Sequence, residues 1–211
     1  MIFALLLAGA TLFGCTTLST LDGATTLDPG EVQLAAAGSL QVGSNSVSSA
    51  TWIPVPQADL AFRVGLRPNT DLGVRLYLGG VQGDLRYRFL QTRDWDFAVA
   101  PGVGGLALPI GGVLDVRAPL RAERGFGRDH RLSAGITPMG RTTFAALGTG
   151  STGHTELYLG GFVRAQWTVG PVFLGTSLDL MGQPSRGLPP AVSLGVDLAL
   201  RKGPFTRRGR K

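Results

Sequence analysis

The sequence of 211 residues is poor in several residue types, and each shortage excludes a class of function. A single cysteine excludes an intramolecular disulfide and a zinc site built from cysteines. Two histidines, His130 and His154, leave little for histidine-based metal binding. No run of 18 or more apolar residues follows the N-terminus, so no transmembrane helix is predicted there. We therefore expect neither a metal site nor a cofactor.

The N-terminus has the pattern of a processed export signal. Residues 2–12 are almost entirely apolar, which is the length of a signal-peptide core, so residues 1–14 are predicted to be a signal peptide. The following Leu12-Phe13-Gly14-Cys15 resembles the lipobox of bacterial lipoproteins. That resemblance implies cleavage before Cys15 and attachment of acyl chains such as palmitate to it. Residues 15–30 are then a lipidated N-terminus and tether; the alternative is a plain secretory signal with an incidental cysteine.

Charge is scarce and unevenly placed. Charged residues make up 16% of the chain, and the formal net charge is +6. Residues 202–211 hold five basic and no acidic side chains, so residues 1–201 hold 15 basic against 14 acidic ones. With an exported N-terminus, we expect no nucleic-acid partner. Anionic lipid headgroups are the expected partner of this basic C-terminal tail.

From about residue 31 the hydrophobic pattern has a period of two residues. Leu72, Val74 and Leu76, for example, alternate with Asp71 and residues 73 and 75. Such alternation places each set on one face of a strand. Most segments have the 9–11 residues that a tilted strand needs to cross a bilayer. The pattern predicts an all-β, antiparallel up-and-down transmembrane β-barrel over residues 31–201, with about ten strands and with eight or twelve as alternatives. The ten segments lie near 31–43, 57–67, 71–79, 82–90, 95–103, 112–122, 131–141, 155–168, 171–181 and 191–201.

Three features favour a barrel whose apolar face meets lipid over a soluble barrel with an apolar interior. Loops at one predicted end are mostly short and those at the other mostly long, as in outer-membrane barrels. The links at the short-loop end lie near 68–70, 91–94, 123–130 and 169–170, and those at the long-loop end lie near 43–56, 80, 104–111, 142–154 and 182–190. Phe89, Trp95 and Trp167 lie on the apolar face near the short-loop end, as an interfacial aromatic belt would. The polar face is rich in small residues, which a crowded lumen explains. These are Gly65, Gly73, Ala98, Ala100, Gly102, Gly135, Gly160, Gly195 and Ala199.

The same geometry turns charged side chains of both signs into the lumen. Their near balance predicts paired groups and a narrow or plugged barrel, not an open pore. The predicted inward charges are Asp59, Asp71, Asp84, Asp96, Asp115, Glu156, Asp179 and Asp197, with Arg63, Arg67, Arg75, Arg86, Arg88, Arg117, Arg121, Arg164 and Arg201.

Together the lipobox and strands such as DLGVRLYLGG and GDLRYRFL resemble the small bacterial outer-membrane β-barrel proteins that carry a lipoprotein-type signal. The resemblance implies a protein of the Gram-negative cell envelope that is lipid-anchored and spans the outer membrane. It implies contact with outer-membrane lipid, but it is architectural and does not by itself give a function. Our first hypothesis for the function is a structural or interaction role without catalysis. Envelope protein partners are not specified by it.

Three motifs suggest chemistry and are weighed against simpler interpretations. Residues 148–153 match G-x-G-x-x-G, but a strand follows where a dinucleotide site needs a helix, so an external loop is predicted. Asp129-His130 resembles the Asp-His pair of outer-membrane barrel proteases. The predicted topology places it at the periplasmic end of the barrel, which is the wrong side for those enzymes. Ser151, His154 and Glu156 contain the residue types of a hydrolytic triad. We assign no catalytic residue. One alternative function is an outer-membrane barrel hydrolase acting on lipid or peptide, and another is a soluble, lipid-anchored periplasmic barrel that binds an apolar ligand.

Overall fold

The computed structural model describes residues 23–44, 52–77, 80–108, 111–127, 129–145, 153–184 and 191–203. Its regular structure is entirely β. The strands are β1 (Val32–Ser44), β2 (Trp52–Arg67), β3 (Thr70–Tyr77), β4 (Gly80–Gln91), β5 (Trp95–Val99), β6 (Gly102–Leu108), β7 (Gly111–Arg117), β8 (Leu120–Phe126), β9 (His130–Ala145), β10 (Gly153–Val169), β11 (Val172–Gly182) and β12 (Ala191–Lys202).

These segments form a closed antiparallel barrel of ten strands, as predicted. β5 and β6 both pair with β4, so together they form one interrupted barrel strand. β7 and β8 both pair with β9 and form a second interrupted barrel strand. The barrel closes because β1 pairs with β12 along eleven residue positions. Each predicted segment coincides with one of the ten barrel strands.

Prolines mark the two interruptions. Pro101 separates β5 from β6, and Pro119 separates β7 from β8. Proline has no backbone N–H, so the hydrogen-bond ladder breaks at each position. Their carbonyls continue the pairing: Leu85 donates its amide hydrogen to Pro101 O at 2.9 Å, and Ala100 donates to Pro119 O at 3.0 Å.

The two ends of the barrel differ in their connections. At one end, which we call the turn end, residues 68–69, 92–94, 127–129 and 170–171 connect the strands, and β1 begins and β12 ends there. The predicted link at 123–130 is shorter than expected because β8 continues to Phe126. Asn69 and Gly170 adopt φ of 68° and 62°, which tight turns require. At the other end, the loop end, the predicted loop at 104–111 is largely strand, since β6 and β7 extend into it.

The apolar side chains point outward, as the alternation predicts for a membrane barrel. Val196 is 62% exposed on the outside, while the neighbouring Asp197 is 8% exposed and lies in the lumen. The same inside-polar arrangement recurs around the barrel, so the alternative of a soluble barrel with an apolar interior is wrong. Phe89, Trp95 and Trp167 are exposed on the outer surface at the turn end, where the pattern placed them. In the described ranges, no helix is long and apolar enough to cross a membrane.

The outward apolar face generates a direct prediction. Replacing Val196, in the middle of β12, by Arg exposes a charge to hydrocarbon and lowers the free energy of unfolding in lipid vesicles by ~2–4 kcal/mol. Gln91→Arg is the matched control at the turn end, and it costs at most ~1 kcal/mol. Urea titration followed by tryptophan fluorescence measures both. Equal costs for the two variants would contradict the outward placement of Val196.

Candidate functional site in the barrel lumen

Charged side chains fill the inner wall of the barrel. Most of the predicted inward charges are buried, because they alternate with the lipid-facing residues. A carbon atom added at Gly73 would overlap the guanidinium of Arg63, and one at Gly135 would lie 2.6 Å from the Phe162 ring. The small residues on the inner face thus give the large ones room, as expected of a crowded lumen. The buried predicted charges are Asp59, Asp71, Asp84, Asp115, Asp179, Asp197, Arg63, Arg75, Arg86, Arg117, Arg121 and Arg164.

Some inward assignments need correction. Arg67 is exposed, because the pairing of β2 with β3 shifts between Gly65 and Arg67 and takes Arg67 out of the alternation. Glu123, Arg131 and Arg141 contribute to the lumen but were not predicted. The sequence pattern predicts a link over residues 123–130, whereas Glu123 lies in β8, two residues after Arg121 and on the same inner face.

The N-terminal segment Gly23–Asp28 enters the lumen at the turn end. Ala24 is 0% exposed and Leu27 is 1% exposed, and Thr26 is also buried. These residues fall within the predicted tether at 15–30, whose lipid-anchored character stays a prediction. We call residues 23–28 the inner segment.

The inner segment is held mainly through its backbone. Ala24 donates its amide hydrogen to Glu123 at 2.8 Å, and Leu27 donates to Asp71 at 2.9 Å. The Gly23 carbonyl accepts hydrogen bonds from Arg86 at 2.9 Å and from Arg121 at 3.4 Å. Buried backbone N–H and C=O groups need hydrogen-bond partners. These contacts provide such partners and also hold the segment in the lumen.

Two carboxylates organise these contacts. Asp71, fully buried, accepts hydrogen bonds from Arg63 and from Arg86, the latter at 2.6 Å, while Arg63 also pairs with Asp84. Glu123 accepts from the Thr25 hydroxyl at 2.5 Å and from Arg131 at 2.7 Å. The two networks lie three barrel strands apart, and the inner segment bridges them.

Further from the turn end the lumen contains separate pairs. Arg141 Nε donates to Asp115 at 2.8 Å. Arg164 holds Asp197 with two atoms, Nη2 at 2.7 Å and Nε at 3.2 Å. Buried charges are tolerated when paired in this way, with the remaining hydrogen bonds satisfied.

The residues considered for catalysis are only partly brought together. His154 Nε2 lies 3.2 Å from Glu156, and the Tyr158 hydroxyl donates to the same carboxylate at 2.6 Å. His154 is nevertheless highly exposed, with 68% of its side chain accessible. Asp129 and His130 are exposed at the turn end.

Several predicted sites lie outside the described residues. Cys15, Ser151, residues 148–152 and residues 204–211 are among them. Gly153 begins β10, so a strand and not a helix follows the G-x-G-x-x-G match. In the part of the chain that the structure describes, no group of three or more His, Cys, Asp or Glu side chains could hold a metal ion.

Comparison with solved structures shows the same class of fold. An outer membrane channel from Pseudomonas putida F1 is 11% identical, with 87% of this chain and 100% of that chain covered and a TM-score of 0.50. Neisserial surface protein A is 12% identical, with 82% and 99% covered and a TM-score of 0.43. The outer membrane protease OmpT from Escherichia coli is 8% identical, with 88% and 98% covered and a TM-score of 0.38. The similarity to the Pseudomonas putida channel, at 11% identity, shows a shared fold and carries no information about activity.

No protein-family model matches the sequence. No curated protein matches it either. The class that fold and lumen define is therefore the closed antiparallel β-barrel with an apolar exterior and a charged interior.

The Asp71 network generates a stability prediction. Asp71→Asn removes the charge shared by Arg63 and Arg86 and leaves buried cations without their counter-ion. We expect the free energy of unfolding to fall by ~3–5 kcal/mol, the usual cost of breaking a buried pair. Asp94→Asn, in an exposed turn, is the control and changes it by less than ~0.5 kcal/mol. A loss of under ~1 kcal/mol for Asp71→Asn would mean that the network does not stabilise the barrel.

Proposed function

We propose that the chain is an outer-membrane β-barrel protein whose lumen its own inner segment closes, with a structural or interaction role and no catalysis. The observation that carries the proposal is the path of residues 23–28 across the lumen between Asp71 and Glu123. Closure from within, together with buried ion pairs on the wall, argues against a continuous aqueous channel.

The location in a membrane follows from the outer surface. Leucine, valine and aromatic side chains cover the exterior, and water contact over such an area costs roughly 25 cal/mol per Å². A closed barrel leaves no unpaired strand edge, which is what a spanning β-structure requires in lipid. The aromatic side chains at the turn end fit the interface between headgroups and hydrocarbon. Short turns at one end are typical of the periplasmic side of outer-membrane barrels, so we place the turn end there.

At the turn end, residues 23–28 and the buried ion pairs obstruct the passage of a solute through the lumen. A path through it has to displace backbone groups hydrogen-bonded to buried carboxylates and to separate Arg86 from Asp71. Breaking a buried pair costs several kcal/mol, which exceeds thermal energy many times over. We therefore infer that the barrel does not conduct ions in its resting state.

Conductance in planar bilayers tests this proposal. The full chain is expected to give no steady single-channel current. A variant lacking residues 23–28 is expected to give resolvable currents, because the turn end loses the segment that crosses it. Heat-modifiable migration on a gel establishes that the variant is folded before it is measured.

A substitution that leaves the segment in place is the control for this comparison. Asp28→Asn changes an exposed residue at the end of the segment and should stay silent in the bilayer. Steady current through the full chain would contradict the closed barrel. Silence of a folded variant without residues 23–28 would show that the segment is not what closes the lumen.

The lipid anchor and the basic tail are further parts of the proposal. Cys15 is the attachment site that the lipobox resemblance implies, and loss of radioactive palmitate labelling in Cys15→Ser tests it. The tail at 202–211 holds five basic side chains and is proposed to contact anionic headgroups. If a variant without the tail assembled into the barrel and bound anionic liposomes as the full chain does, the proposed contact with headgroups would be contradicted.

The hydrolase alternative gains no support from the His154 geometry. The described partner of His154 is Glu156, and a carboxylate orients a histidine without supplying a nucleophile. Ser151, the nucleophile of that alternative, lies outside the described residues, so the non-catalytic role rests on the closed lumen.

A further inference from the structure

Arg117 occupies an unusual place in the lumen. It ends β7 next to the Pro119 interruption and is 9% exposed on the inner face. Its partners across the strands are Gly102 on β6 and Met139 on β9, neither of which offers a charged side chain. The site lies about midway along β9, on the loop side of the inner segment.

The donors of Arg117 are not satisfied by the described part of the protein. Its Nε and Nη2 atoms are buried and find no acceptor among the described residues. Arginine Nε and Nη2 form one edge of the guanidinium, a fork that matches the two oxygens of a carboxylate or phosphate. Leaving such donors buried without an acceptor is costly.

The same barrel shows what fills this kind of fork. Arg164 uses the same two atoms, Nε and Nη2, to hold the two oxygens of Asp197. Arg117 presents the same edge without an equivalent carboxylate. The comparison within one lumen indicates the geometry of the missing partner, an anion with two oxygens on one side.

The local charge favours an anion as well. Arg141 binds Asp115 through Nε at 2.8 Å and Nη2 at 3.5 Å, so that carboxylate is already engaged. The charges of Arg75 and Arg141 both act on Arg117 with the same sign, against the single carboxylate of Asp115. Gly102 and Gly104 on β6 carry no side chain, and Asp84 and Gln82 of β4 lie against them: a carbon atom added at Gly102 would lie 2.7 Å from Asp84 Cβ. The Asp84 carboxylate is itself paired with Arg63.

We propose that Arg117 is the centre of an internal binding site for a small oxyanion, the carboxylate of an organic acid or an inorganic phosphate. The inner segment crosses the lumen at the turn end, so the site lies on the loop side of that segment. A basic site in the inner wall is a property that the closed-barrel proposal does not itself include.

Binding of sodium acetate and of sodium phosphate to the purified full chain tests the site by calorimetry in detergent, with sodium chloride at equal ionic strength as reference. We expect saturable binding of at least one of the two probes, and the probe that binds identifies carboxylate or phosphate. Arg117→Gln should weaken it at least tenfold. Arg117→Lys should weaken it similarly, since a point charge lacks the fork. Arg93→Gln, in an exposed turn at the other end, is the matched control and should bind as the unaltered chain does.

A second variant keeps the test decisive if loss of Arg117 impairs folding. Met139→Glu places a carboxylate directly across from Arg117, with nearly unchanged side-chain length. It should remain folded, as judged by heat-modifiable migration, and lose binding of the added anion because its own carboxylate fills the fork.

Three results would overturn the proposal. The first is no saturable binding of either probe to the unaltered chain, which would mean that water alone satisfies the fork. The second is binding by Arg117→Lys equal to that of the unaltered chain, which would assign it to the general potential of the lumen. The third is undiminished binding by a folded Met139→Glu.

Discussion

The buried carboxylate of Asp71 is the interaction on which much of the described lumen depends. It receives hydrogen bonds from Arg63, Arg86 and the backbone of Leu27, and it is fully shielded from solvent. A strand with one face in lipid must turn its polar residues inward, so the barrel has to satisfy its charges internally. Asp71 does so for two wall arginines and for the inner segment together.

The narrowness of the lumen makes this arrangement possible. Long arginine side chains extend across small residues of neighbouring strands, as Arg63 does over Gly73. Most of them reach a carboxylate in this way. Their pairing offsets the free-energy cost of burying charged side chains in the lumen. Arg117 departs from that rule, which is why we assign a ligand to it and not to its neighbours.

Most of the architecture could be predicted from the sequence, because period-two alternation reports directly which residues share a face. Val196 and Asp197 illustrate this, one outside and one inside. The ten strands, the outer aromatic side chains and the buried Asp71 followed from the same pattern. Arg67 did not, since a local shift in pairing is set by the partner strand and leaves no mark in the alternation.

The inner segment could not be predicted for a different reason. Its main contacts join backbone groups of Gly23, Ala24 and Leu27 to charged side chains distant in the sequence. Every residue supplies a backbone carbonyl and every residue except proline an N–H, so no residue pattern in the segment predicts its position. Its composition resembled an exposed tether, and only the fold shows that the carboxylates of Asp71 and Glu123 face it.

Hydrogen exchange of the Ala24 and Leu27 amides is the most direct test of whether residues 23–28 close the lumen. Both are donors to buried carboxylates inside the barrel, so they should exchange as slowly as the amides of the strand cores. The amide of Asp94, in an exposed turn, should exchange quickly in the same sample. Exchange of Ala24 and Leu27 as fast as that of Asp94 would contradict the account of a lumen closed by its own N-terminal segment.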